Sequence, residues 1–223
     1  MAPLLKICGL RQHHQAAAVA RLGVDAIGVI GVEASPRWVP PEARGALFGA
    51  MANAAPACRR VLVVADPADA VLAELAADRG HTVLQLHGEE TPARCRELRQ
   101  LLPGLELWKA LRIRQPRDLE RAAAYGAVVD ALLLDAWVPD QLGGTGHRIP
   151  LDWLEGFAPA VPWWLAGGIR ADRISRLRQA RAAGLRFTGL DASSGVERAP
   201  ADKNLEAVAE LVAAVRAWPK GMP

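Results

Sequence analysis

The stretch LLKICGL, Leu4 to Leu10, is an apolar run that closes on a thiol and a turn residue. Runs of the same kind return about every 25 to 30 residues: DAIGVIG (25–31), RVLVVA (60–65), TVLQLHG (82–88), LELWKAL (105–111), DALLLDA (130–136), PWWLAGG (162–168) and FTGLDAS (187–193). They are rich in Val, Ile and Leu and do not alternate strictly with polar residues. Strands covered on both faces, as in parallel sheets, read this way. LLKIC is the first of eight.

Between the runs lie Ala-, Arg- and Leu-rich segments with helical spacing. In ADKNLEAVAELVAAVRAW (201–218), Leu205, Val208, Leu211, Val212 and Val215 share one face. Asp66-Pro67 and Thr91-Pro92 each put a capping side chain before a proline at the first helical position, and Gln115-Pro116 is a weaker version. Repeated β-α units force parallel pairing, because each crossover must return the chain to the same end of the sheet. With no long linker and no shift in composition, the sequence predicts an α/β protein, a single (β/α)8 (TIM) barrel domain over residues 1–223. The alternative, a doubly wound open sheet, normally carries a glycine-rich fingerprint after its first strand, and CGLRQHH is not one.

Composition narrows the function classes. At 51% hydrophobic and 23% charged residues, the chain is globular in character. Its net charge of +3 is scattered without a basic run, which argues against nucleic acid and suits a small anionic substrate. Cys8, Cys58 and Cys95 are odd in number and form no CxxC, so they read as free thiols in a reducing compartment. No signal peptide is expected from MAPLLKICGL, and no apolar run approaches the roughly 20 residues of a membrane span. The expected setting is the cytoplasm, as a monomer or homodimer.

In such a barrel the chemistry belongs at the C-terminal ends of the strands. Polar groups there are Cys8 after the first run, Ser35 and Arg37 after the second, Asp66 after the third, His87 after the fourth, Lys109 to Arg112 after the fifth, and Asp135 after the sixth. Gly167-Gly168 follow the seventh and Asp191, Ser193 and Ser194 the eighth. Glycines and small hydroxyl residues on the last two strands suggest a phosphate nest of backbone N–H groups, or simply two tight turns. Cys8 and Asp135 could move protons on opposite sides of a substrate. An unpaired cysteine is equally at home as core filler, whereas an acid closing ALLLD is expensive to bury without a purpose. Arg37, behind a stiffening Ser35-Pro36, suits a forked grip on a carboxylate. His87 is either a binding residue or a packed one, and Lys109 suggests a structural pair with a strand-end carboxylate. Trp38 and Trp137 fall on mouth loops, where they could flank an aromatic ring or simply pack. His87 stands alone at ligand spacing, so no metal is expected.

Taken in order, KICG, SPRWV, LQLHGEE, LLLDA…GGTG, LAGGI and GLDASSGVE resemble the phosphoribosylanthranilate isomerases, over nearly the whole chain from Lys6 to the final helix. The resemblance implies a cofactor-free Amadori rearrangement of N-(5-phosphoribosyl)anthranilate in tryptophan biosynthesis. It implies Asp135 as general acid, Cys8 as general base, Arg37 on the anthranilate carboxylate and Asp191 on the sugar hydroxyls. His87 and Gly144 of the GGTG loop join the substrate set, and the phosphate rests between Gly167-Gly168 and Ser193-Ser194. Departures occur in IGVIGVEASPR, where relatives often carry aromatic residues, in VVADP, where asparagine is common, and in ADKN at the last helix.

A thiol with an ordinary pKa of about 8.5 requires help to act at neutral pH. Lys6 is expected to face the wrong way to give it, which leaves the substrate's own iminium charge. Rival readings are an epimerase, which generally needs a metal cluster, and indole-glycerol phosphate synthase, which normally has a segment before its first strand. A catalytically silent binding barrel is the third, and it would have no need to keep both Cys8 and Asp135.

Overall fold

The computed structural model describes residues 1–136 and 147–218. Eight strands pair in parallel and close on themselves in chain order: β1 (Leu4–Cys8), β2 (Ala26–Ile30), β3 (Arg59–Val64), β4 (Val83–Leu86), β5 (Glu106–Ile113), β6 (Ala131–Ala136), β7 (Trp163–Leu165) and β8 (Gly189–Ala192). Closure is made by β1 on β8, with Leu4 to Ile7 opposite Gly189 to Ala192. The predicted barrel is the observed one.

Side chains alternate between the two faces of each strand, and here both faces are buried. Cys8, Ala26, Val61, Val63, Val83, Trp108, Ala110, Ala131, Leu133, Trp164 and Ala166 fill the barrel interior. Trp108 and Trp164 stack there with ring centroids 4.9 Å apart. The intervening residues, such as Leu5, Ile7, Leu84, Leu132 and Leu134, pack outward against the helices. This explains why the runs read as continuously apolar.

The outer layer departs from the prediction. Among the described residues five α-helices form: α1 (His13–Arg21), α2 (Pro41–Ala54), α3 (Pro92–Leu101), α4 (Ile174–Ala182) and α5 (Leu205–Arg216). After β3, β5 and β6 the described connections wind instead as 3-10 segments, Asp69–Leu75 with Ala77–Arg79, Pro116–Ala124 and Leu151–Leu154. The three longer segments bury one side chain each, Leu75, Ala122 and Leu154. That is too little apolar surface to stabilise a full helical stripe, because tertiary packing supplies most of a helix's stability.

Thr91 caps α3 as expected, its Oγ1 accepting from Arg94 N at 3.2 Å. Asp66 caps nothing. Its backbone turns left-handed (φ 47°) and its carboxylate accepts from Glu89 N at 2.8 Å, tying the ends of β3 and β4 together. Asn204 caps α5 through Glu206 N and Ala207 N. The residues before it form a small hairpin, β9 (Glu197–Ala199) with β10 (Asp202–Lys203). Cys58 and Cys95 are buried and unpaired on the outer side of the barrel wall. Among the described residues no helix is long and apolar enough to cross a membrane.

Candidate active site

Seven groups singled out by their strand-end positions line one cavity at the C-terminal mouth: Cys8, Ser35, Arg37, His87, Asp135, Asp191 and Ser193, with Gln85 beside them. They come from the ends of β1, β4, β6 and β8 and from the loops after β2 and β8. A larger hollow of about 430 Å³ lies on the outer flank between α2 and the 3-10 segment after β3. No strand-end group reaches it.

Cys8 ends the inward face of β1. Its Sγ sits over Gly28 of β2, where a methyl group would lie 2.5 Å from the sulfur, so only glycine admits the thiol there. Ser193 Oγ donates to the Cys8 carbonyl at 3.2 Å, linking β1 to the loop after β8. Burial pushes the Cys8 thiol up, and the nearby Asp191 carboxylate adds to that; the Lys6 ammonium acts against both.

Lys6 corrects the expectation drawn from sequence. Residues i and i+2 of a strand share a face, so Lys6 points into the barrel directly below Cys8. It is fully buried, and its Nζ donates to Asp191 Oδ1 at 3.0 Å. Burial opposes the ammonium, but Asp191 and Cys8 outweigh it and raise the Lys6 pKa.

Across the mouth, Asp135 Oδ1 accepts from Ala136 N at 2.9 Å, while Oδ2 faces His87 Nε2 at 3.6 Å. Gln85 Nε2 lies 3.0 Å from His87 Nδ1. With Gln85 donating, the ring hydrogen sits on Nε2, aimed at Asp135. Arg37 swings over Gly9, whose left-handed turn (φ 84°) and missing Cβ leave room for the Arg37 Cδ. Its fork is already engaged: Nε and Nη2 donate to the Glu197 carboxylate at 2.9 and 2.6 Å. Lys203 Nζ donates to the same Glu197 at 2.6 Å and to Ser193 O at 3.3 Å. Burial works against the Glu197 charge, but Arg37 and Lys203 overcome it and hold that carboxyl below its ordinary pKa.

The loops after β7 and β8 touch. A Cβ on Gly195 would lie 2.4 Å from Ile169 O, and Gly167 and Gly168 both take left-handed φ values. Arg173 Nη1 donates to Gly167 O and steadies that turn. Gly167, Gly168 and Ser194 stand beside the mouth cavity and do not line it. Gly144 and Trp137 lie outside the described residues. Lys109 plays the structural part expected of it, paired with Glu90 at 2.9 Å on the outer side of β5.

Residues 5–214 match the sequence profile of N-(5'-phosphoribosyl)anthranilate (PRA) isomerase. The chain belongs to the phosphoribosylanthranilate isomerase family. N-(5'-phosphoribosyl)anthranilate isomerase of Synechococcus elongatus is 46% identical over 208 residues, covering 93% of each chain. The enzyme of that name from Nostoc punctiforme is 45% identical, with 93% of this chain and 95% of the relative covered. The crystal structure of phosphoribosyl anthranilate isomerase from Thermus thermophilus superposes with a TM-score of 0.81 at 30% identity, over 97% of this chain and all of that one. A phosphoribosyl anthranilate isomerase in complex with reduced 1-(o-carboxyphenylamino)-1-deoxyribulose 5-phosphate shares the fold, with a TM-score of 0.77 at 24% identity over 96% and 98% of the two chains.

Within this isomerase, sequence reasoning turned Lys6 the wrong way and passed over Gln85, Glu197 and Lys203. Lys6 and Gln85 were legible by counting two residues back from Cys8 and His87 along their strands. Glu197 stood inside GLDASSGVE, but nothing in sequence pairs it with Arg37, 160 positions away.

Proposed function

We propose that this isomerase catalyses the Amadori rearrangement of N-(5-phosphoribosyl)anthranilate to 1-(2-carboxyphenylamino)-1-deoxyribulose 5-phosphate in tryptophan biosynthesis, by general acid/base catalysis with Asp135 as acid and Cys8 as base. The observation that carries the reading is the gathering of an acid and a thiol on one cavity from strands three apart around the barrel. Asp135 protonates the furanose ring oxygen, the C1–O bond breaks and a Schiff base forms. Cys8, as thiolate, removes the C2 proton to give the enolamine, which takes a proton at C1 and becomes the aminoketone. Positioned acids and bases of this kind contribute about 10²–10⁴-fold each.

The other mouth groups divide the substrate between them. Arg37, locked by Glu197, offers the anthranilate carboxylate a charge fixed in place rather than an open fork. Asp191 faces the sugar hydroxyls, and His87 orients the Asp135 carboxyl. The touching loops at Gly167-Gly168 and Ser193-Ser194 suit a phosphate held by backbone N–H groups. Among the described residues the only exposed large apolar side chains are Met1 and Leu101. That surface fits a small-molecule enzyme of the cytoplasm, monomeric or a homodimer.

The test follows the loss of phosphoribosylanthranilate fluorescence with purified protein, Cys8→Ser and Asp135→Asn. Each variant should keep its circular dichroism and lose at least about 10²-fold in kcat. Near-normal turnover by Cys8→Ser would return Cys8 to the core, and unfolding of Asp135→Asn would make that acid structural.

A further inference from the structure

The base assigned above is a buried thiol whose surroundings hold its proton on. Charged groups face it from every side: Lys6 on β1, Asp191 on β8, Lys203 on β10 and Arg37 after β2, with His87 and Asp135 across the cavity. Two of the cations are committed elsewhere, since Arg37 and Lys203 both converge on Glu197 within 2.9 Å. Lys6 is different. Its Nζ donates to one carboxylate oxygen, Asp191 Oδ1, and its side chain lies on the same inward strand face as the Cys8 thiol, two residues on, where each charge acts on the other. An ammonium carries three donors, so one Lys6 can hold both anions at once. The Cys8 sulfur sits in the space that the missing Cβ of Gly28 leaves on β2.

We propose that Lys6 is the positioning residue that enables Cys8 to serve as a base: its buried ammonium bridges Asp191 and Cys8, stabilising the thiolate, and Asp191 sets how much of that charge the sulfur receives. The proposal rests on the reading of Cys8 as base. In the free enzyme the thiol proton goes to solvent and Lys6 stays an ammonium throughout. Sugar hydroxyls that donate to Asp191 compete with Lys6 for its oxygens and release positive charge toward Cys8. Substrate binding thereby promotes ionisation of the base that acts on it.

The experiment is done on substrate-free protein. Cys8 is alkylated with iodoacetamide across a pH series, and the adduct is read on the Cys8 peptide by mass spectrometry. Cys58 and Cys95, which burial pushes to about 11, are thereby kept separate. Lys6→Met should move the Cys8 midpoint up by about one pH unit or more, a tenfold loss of alkylation rate at fixed pH below it. Asp191→Asn should move it down. The acid limb of kcat/KM should follow the Lys6→Met shift, which a purely structural role would not produce. A folded Lys6→Met with an unchanged midpoint overturns the proposal. If Lys6→Met does not fold, Asp191→Asn decides alone, and an unchanged or raised midpoint overturns it. Loss of the base reading itself would show differently, as an active Cys8→Ser enzyme with the two shifts intact.

Discussion

Two buried lysine–carboxylate pairs stand on opposite faces of the barrel wall. Lys109 meets Glu90 at 2.9 Å, and Lys6 meets Asp191 at 3.0 Å. Both ammonium groups are fully buried. Lys109, however, points outward between Trp108 and Ala110, which point in. It also donates to Gly88 O at 2.8 Å and Leu86 O at 3.4 Å, while Glu90 accepts from Asp66 N at 2.7 Å and Gly88 N at 3.2 Å. That pair is satisfied by backbone and clamps the ends of β3 and β4 to the middle of β5. The Lys6 pair faces inward, beside a thiol and a cavity. The same two side-chain types serve scaffold or chemistry according to strand face, and one residue of register separates the two outcomes.

The largest effect expected from this contrast is on stability. Lys109→Met strands Glu90 in a dry layer and should cost about 3–5 kcal/mol, the range for breaking a buried pair. Lys6→Met leaves Asp191 at the wall of a water-accessible cavity and should cost clearly less. Urea unfolding of the two variants side by side measures this, and equal losses would break the distinction between the faces.

A second difference appears with acid. His81, in the outer layer beside Phe48, is pulled down to about 4 by burial, with Nε2 3.0 Å from Leu75 O. A histidine depressed in the folded state binds its proton more readily when unfolded. Its stabilisation is therefore complete above pH 6.5 and is lost as pH falls from 6.5 to about 4. The shift of roughly 2.5 units corresponds to about 3 kcal/mol. In His81→Gln the fall in unfolding free energy over that window should flatten by a large part of this amount. An undiminished slope would place the acid sensitivity elsewhere.

The smallest expected effect is on binding, and it sharpens the mouth side of the comparison. Arg37→Met leaves Lys203 to neutralise Glu197 at 2.6 Å, so the fold should survive. A carboxylate grip is shared by ground and transition states. KM should rise about tenfold, roughly 1.4 kcal/mol, with kcat held. A collapse of kcat at constant KM would put Arg37 on the reacting centre.

The sequence by itself determined the number, order and parallel pairing of the strands, because doubly buried strands spaced by crossovers have few other ways to close. It also determined which strand ends carry polar groups, since those groups interrupt apolar runs. Thr91 before Pro92 was legible for the same local reason. Tertiary structure alone decided the rest. Three expected helices became 3-10 segments because what they bury depends on neighbours distant in sequence. The Arg37 fork went to Glu197, across 160 positions that no periodicity spans. The face on which a lysine lies was countable in LLKIC and LELWKAL, but which face was the interior was settled only when β1 closed on β8. That closure put Lys6 beside Asp191 and beneath Cys8, because charge partners are chosen by proximity in the folded barrel and not by spacing along the chain.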